Sequence, residues 1–275
     1  MQDTRQVTTP DSYSLRYTVW SNPNRKATVV ILNGVMGHSG WMSEMGTALC
    51  ETGLHVVGAD RRGSGQNEEG FGDIQSPASL YSDIDLVTSC ELASAEPLFV
   101  IGWCWGAIPA VLANRHLSAE ITGLVLLSPG FFPSSCVMAA AEAGLTANVS
   151  MTEAVLPSPV RLEMFSDDPL TLDRLRQDRL KVVQVTKRLL WTAQKMTVAA
   201  RSACLRLKCP IFLGLASDDR AVDNGRTQTM FSELSVDVDI QFFDGPHGFV
   251  LESGLDVAGR VGNWIHSQLF RVDVS

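Results

Sequence analysis

The chain has 275 residues, 45% of them hydrophobic, enough to bury the core of one large domain or of a core domain carrying an insertion. Its formal net charge of −8, with no basic run of five or more residues, excludes the basic surface that nucleic-acid binding requires. Residues 1–24 are polar without the features of a secretory leader, and the apolar stretch 27–36 is too short to span a bilayer, so no stable membrane insertion is expected. Six scattered cysteines form no Cys-x-x-Cys pair and no Cys/His cluster. That pattern predicts neither a disulfide framework nor a metal site, and a reducing cytoplasm is the expected compartment.

In chain order, 12–20 reads as a strand near a sheet edge and 26–33, rich in β-branched residues, as a strand buried on both faces. A helix over 42–52 leads to a strand over 54–60, closed by an Arg61-Arg62-Gly63 turn. A helix over 79–93 follows, on which Asp83 and Asp85 are expected to be solvated. The apolar strand 97–102 runs into a helix over 105–115, and 121–128 is a further apolar strand. Strands then give out for about eighty residues, until 210–216 and 236–243, and a helix over 254–269 closes the chain. This alternation predicts an α/β fold with a doubly wound, mainly parallel sheet. The gap, with its helical spacing of Leu172, Leu175, Leu180, Val183, Leu190 and Trp191 across 170–199, predicts a helical cap over 130–207 inserted in a core of 1–129 and 208–275. Such a cap shapes a pocket and excludes water.

The junction of strand 97–102 and its helix reads Gly102-Trp103-Cys104-Trp105-Gly106. This is the Gly-x-nucleophile-x-Gly spacing of a strand-to-helix elbow, in which glycines relieve crowding around a strained turn. Cys104 stands where a nucleophile is displayed at a helix N-terminus that favours its anion. A cysteine nucleophile needs a base, and the base an orienting carboxylate. Of five histidines, His55, His116 and His266 fall on elements that give them structural or surface roles. His247, in the Asp244-Gly245-Pro246-His247-Gly248 loop after the last strand, lies at the sheet edge where doubly wound folds gather their chemistry. After strand 210–216 come Asp218 and Asp219, which position alone does not separate. For the oxyanion, backbone N–H groups are expected from Trp105 and from Val35 in the glycine-containing loop 33–38. Trp41, Trp103 and Trp191 are candidates to line an apolar acyl pocket.

Across roughly 26–269 the chain resembles α/β-hydrolases of the monoacylglycerol lipase and lysophospholipase-like group. The likeness rests on Gly37-His38-Ser39-Gly40-Trp41, the turn Asp60-Arg61-Arg62-Gly63-Ser64-Gly65, the cap segment Glu163-Met164-Phe165-Ser166-Asp167-Asp168-Pro169, Asp219-Arg220-Ala221-Val222-Asp223-Asn224 and Pro246-His247-Gly248. The resemblance implies that Asp219, not Asp218, is the triad carboxylate. It also marks departures: Cys104 replaces the group's serine, Asn33 stands at the position of its first-motif histidine, and Pro109 enters the elbow helix, where it could kink it. A cysteine in this elbow is similar to that of dienelactone hydrolases and some thioesterases.

A thiol forms a thioester intermediate, reactive toward amines as well as water, and acyl exchange with a thioester donor is nearly isoenergetic. The expected activity is therefore cleavage of a carboxylic ester or thioester through acyl-Cys104. An acyltransferase or cyclase using the same intermediate is the alternative, and a non-catalytic small-molecule-binding protein a further one. The expected partner is a small acyl substrate, free or carried as a thioester. No cofactor is implied, since Gly63 and Gly65 followed only by Gly70 do not have dinucleotide-loop spacing.

Overall fold

The structure, a computed structural model, describes residues 2–272. Strand β1 (Gln2–Thr8) pairs antiparallel with β2 (Ser14–Trp20) at one edge of an eight-stranded sheet. β1 was not expected from the sequence. Its residues, Gln-Asp-Thr-Arg-Gln-Val-Thr, are mostly exposed, so the strand is held by pairing rather than by an apolar face.

β3 (Ala27–Leu32) is buried at every position and runs through the loop 33–38 into α1 (Ser43–Glu51). β4 (Leu54–Ala59), also buried throughout, is followed by α2 (Pro77–Glu91), which begins with Ser76 accepting the Ser79 N–H at 3.1 Å and Pro77 in the first turn. Asp83 is not solvated. It is 4% exposed and takes two bonds from Arg62, 2.7 Å from Nε and 2.8 Å from Nη2, because it sits on the face of α2 turned to the Arg62 turn. Asp85 accepts the Ser118 N–H and hydroxyl.

β5 (Leu98–Trp103) leads through a 3-10 turn at Cys104–Gly106 into α3 (Ala107–Ala113). Pro109 does not kink α3. It lies in the first turn, where a backbone N–H has no partner within the helix to lose. β6 (Ile121–Leu127) completes the first half of the sheet. Between it and β9 run α4 (Ser135–Thr146), the short pair β7 (Leu156–Pro157) and β8 (Gln184–Val185), α5 (Pro169–Gln177) and α6 (Lys187–Cys204). The single helical face expected over 170–199 is broken after Gln177. There Asp178 turns extended and its carboxylate accepts the Leu180 N–H at 2.9 Å, competing with helix continuation. Thr186 then caps α6 by accepting the Leu189 N–H.

The chain returns through β9 (Ile211–Ala216), α7 (Asn224–Ser232), β10 (Val238–Phe243), α8 (Phe249–Glu252) and α9 (Gly254–Val272). The sheet order is β1-β2-β4-β3-β5-β6-β9-β10, parallel from β4 to β10. The direction of strand addition reverses at β3, which has β4 on one side and β5 on the other. Right-handed crossovers in opposite directions put α1 and α2 on opposite faces, so the central strands are buried on both sides. Leu32 pairs with Gly102, which sets the loop after β3 beside the elbow after β5 at the crevice of the carboxyl edge. Among the described residues no helix is long and apolar enough to cross a membrane.

Candidate active site

The glycines of the elbow have direct steric reasons. A Cβ on Gly106 would stand 2.1 Å from the Leu32 carbonyl oxygen, and one on Gly102 would stand 2.5 Å from Ala107 Cα. Strand, turn and helix therefore approach closely enough only with glycine at both places. Between them Cys104 has φ of +56°, a left-handed conformation that is strained for a side chain-bearing residue. The strain turns its side chain out of the sheet plane against Gly34, where an added Cβ would lie 2.9 Å from Cys104 Cβ and 3.2 Å from Sγ. Gly34 thus leaves the room that the sulfur occupies.

His247 arrives from the loop after β10 and Asp219 from the loop after β9. His247 is fully buried, and its Nδ1 lies 3.0 and 2.9 Å from the two Asp219 carboxylate oxygens. Asp219 also accepts the Ala221 and Val222 N–H groups at 2.9 and 3.0 Å. Burial pushes the Asp219 carboxyl up, but His247 and these two N–H groups bring it below the usual carboxylate range. For His247 burial pulls down, and the Asp219 carboxylate followed by the Cys104 side chain outweigh it, raising the imidazole to about 10. Nε2, the ring nitrogen not engaged by Asp219, makes no hydrogen bond of normal geometry. Asp218 is excluded from this arrangement by orientation: its side chain is 68% exposed and meets Arg220 at 3.6 Å.

The stretch between β6 and β9 packs on the histidine. Met164 and Phe165 carbonyls accept the His247 and Gly248 N–H groups at 3.2 and 3.0 Å, and the Phe165 ring meets the imidazole edge to face at 5.2 Å. Trp103 stacks on the imidazole at 6.4 Å and meets the Phe165 ring edge to face at 5.7 Å, so the three rings form one cluster. Phe165 belongs to the cap segment resembling relatives, but nothing in its spacing marked it as a neighbour of His247.

Cys104, Val35 and Trp105 border one cavity of about 260 Å³, whose remaining wall comes mostly from apolar residues of α4 and α6. The Val35 carbonyl is held by Arg61 Nη2 at 2.8 Å, so the turn after β4 fixes the loop that carries Val35. Further along that loop His38 Nε2 lies 2.9 Å from Asp178 of the cap, and Trp41 Nε1 donates to the same oxygen at 2.6 Å. Sequence reasoning assigned neither Arg61 nor His38 a part in the site, because both act through contacts distant in the chain.

The three tryptophans proposed as pocket lining do not border this cavity. Trp103 ends β5 on the histidine side and is 1% exposed, and Trp41 packs against it and Phe165 beside a separate cavity. Trp191 is 47% exposed beneath Lys195 Nζ at 3.5 Å, since α6 turns Leu189, Leu190, Ala193 and Gln194 inward and so Trp191 outward. Trp105 is the tryptophan that lines the cavity.

Comparison with known proteins agrees with this architecture. The solved monoacylglycerol lipase of Paleococcus ferrophilus superposes with a TM-score of 0.79 at 22% identity, covering 92% of this chain and 99% of that one. A soluble variant of monoglyceride lipase from Saccharomyces cerevisiae gives 0.80 at 14% identity, covering 93% and 92%. A thermostable carboxyl esterase from Bacillus coagulans gives 0.77 at 14% identity, covering 98% and 99%. An uncharacterized abhydrolase domain-containing protein of Dictyostelium discoideum is 24% identical over 241 residues, which are 84% of this chain. The chain spans 25% of that relative's length. The family model described as serine aminopeptidase, S33, matches residues 23–253, and the chain belongs to that family.

Proposed function

We propose that the chain is a cysteine-dependent acyl hydrolase that cleaves a carboxylic ester or thioester through a covalent acyl-Cys104. The observation that carries this reading is the buried Asp219–His247 pair beside a nucleophile-bearing elbow at the floor of an apolar cavity. The named activities of the structural neighbours, lipase and esterase, support acyl chemistry.

The proton of Cys104 rests on His247 Nε2, as an imidazolium that Asp219 stabilises on the opposite nitrogen, and the sulfur stands as the thiolate. The thiolate adds to the acyl carbonyl, whose oxyanion is taken by the Val35 and Trp105 N–H groups. Collapse forms the Cys104 thioester and expels the leaving group, which takes its proton from His247. Water then gives a proton to His247 and adds to the thioester, and collapse releases the free acid and restores the thiolate beside the His247 imidazolium.

Transfer to an amine or alcohol is the second reading. It is favoured by the sulfur itself and by the dry setting of His247, 0% exposed under the cap. An ester and a thioester of the same acyl group, with and without an acceptor, separate the two by the ratio of free acid to transferred product. Intact-mass analysis tests both: an acyl adduct on Cys104 is expected, with turnover in Cys104→Ala lower by about 10³-fold or more. Full turnover by Cys104→Ala would remove Cys104 from the mechanism.

A further inference from the structure

The cavity that holds Cys104 is chemically polarised along α6. Leu189, Ala193, Thr197 and Arg201, at four-residue spacing, all border it, so it follows the helix for about 18 Å, taking 1.5 Å of rise per residue. At the Leu189 end the wall is aliphatic, with Leu145 and Leu190. At the other end stands a cation, Arg201.

Arg201 is not neutralised. Its Nε donates to the Phe131 carbonyl at 2.8 Å and its Nη2 donates to the same oxygen, which leaves Nη1 unspent. Its guanidinium lies 4.4 Å from the centre of the Phe132 ring, and Arg226 of α7 lies 4.4 Å from the same ring. Among the described residues no carboxylate comes within 4.0 Å of either guanidinium. Asp223 caps α7 through the Arg226 backbone N–H, and Glu142 of α4 borders the same cavity without coming within 4.0 Å of either guanidinium. Burial and the like charge of Arg226 lower the Arg201 proton affinity, and of the two arginines Arg201 is the one that borders the cavity. Phe132 is tied to the reacting end, since Gly130, two residues earlier, donates to the Cys104 carbonyl at 2.8 Å.

A second, independent feature has the same sign. Residues 179–216 hold eight of the chain's 22 Lys and Arg and no Asp or Glu, in a chain whose net charge is −8. The segment includes α6, and of its eight cations only Arg188 is paired with a described carboxylate, Asp73. A groove with an aliphatic end, a nucleophile and an unpaired cationic end suits a donor with an acyl chain on one side of its reacting carbonyl and an anion on the other.

Resting on the thioester reading of Cys104, we infer that Arg201 and Arg226 bind the phosphate of a 4′-phosphopantetheine arm, on which the acyl group is presented as a thioester. Sulfur selects this class over a phosphate-bearing oxygen ester, because exchange between the arm's thioester and acyl-Cys104 is nearly isoenergetic. Coenzyme A and a carrier protein both present this arm.

Calorimetric titration of Cys104→Ala with an S-acyl-4′-phosphopantetheine and with the matching S-acyl-pantetheine measures what the phosphate contributes. The phosphate is expected to tighten binding about tenfold or more, as for a charge-assisted contact. Adding Arg201→Gln and Arg226→Gln should erase that difference and leave the dephosphorylated ligand within about twofold. Arg226→Gln alone, at an exposed position, should lose part of the gain and covers the case in which the Arg201 variant misfolds. Equal binding of the two ligands, or an advantage unchanged in both variants, would overturn the assignment. Turnover of acyl-coenzyme A and of acyl-carrier protein identifies the source, and arginine dependence with either supports the site. The two readings fail separately. Phosphate-dependent binding without Cys104 acylation sinks the catalytic reading alone, and acylation indifferent to the phosphate sinks only this one.

Discussion

At the residue scale the site concentrates two costs that a core would normally avoid: a cysteine with φ of +56° and a histidine with no solvent exposure. The buried imidazole is tolerable because Asp219 faces it, and the pair ties folding to pH. The folded-state proton affinity of His247 is raised, to about 10 from the ordinary 6.5. The pair's contribution is therefore fully present below about pH 6.5 and is lost as pH rises through about 10. Denaturant unfolding of wild type and His247→Gln should show a stability gap that is largest near pH 6 and shrinks toward pH 10. Lysine and tyrosine titrate in both proteins and cancel from the gap. A gap that stays constant with pH would show that the imidazole is not held as a cation. Of these residues the sequence made Cys104 and His247 legible, through glycine spacing and loop position. The choice between Asp218 and Asp219 needed the resemblance, because two adjacent residues differ only in where the turn aims them.

At the scale of elements, what was legible is what local pattern controls. The buried runs of β3, β5 and β6 read directly as strands, since parallel strands covered on both faces need continuous apolar residues. β1 did not, because an edge strand needs no apolar pattern, and α5 and α6 merged because a polar turn at Asp178 interrupts an otherwise continuous periodicity. That same Asp178 joins the cap to the loop carrying Val35, through His38 and Trp41. Met36 adds a backbone bond to Val182 at 2.9 Å. Replacing Asp178 by alanine leaves two part-buried donors unsatisfied, at about 1–3 kcal/mol each, and loosens the loop. We expect a lower Tm and a kcat about tenfold lower for a small acyl ester, a fraction of the 10²–10³-fold loss that follows removal of an oxyanion donor. Asp178→Asn, which retains an acceptor, should recover part of both. Unchanged kcat in Asp178→Ala would mean that the cap does not hold the loop.

Across the whole molecule, the net charge of −8 conceals a division of sign. The segment 179–216 is cationic and carries no acid, whereas the remainder of the chain holds all 30 Asp and Glu. Of the segment's eight cations Arg201 is the one that borders the cavity, so the others act on an anionic donor only through their longer-range field. Charges separated from a ligand by more than about 10 Å are screened at 0.1 M salt, so a steering contribution shows as a salt-dependent rate. For a phosphate-bearing thioester, kcat/KM should fall about three- to tenfold between about 20 mM and about 300 mM salt, and for a neutral ester it should stay nearly flat. Arg206 and Lys208 provide the control: both are exposed, neither borders the cavity, and neither makes an ion pair with a described residue. Arg206→Gln with Lys208→Gln should flatten the salt profile of the anionic donor and leave the neutral ester untouched. Parallel salt profiles for the two donors in the wild type would show that the cationic segment does not steer the substrate, leaving recognition to contacts inside the cavity.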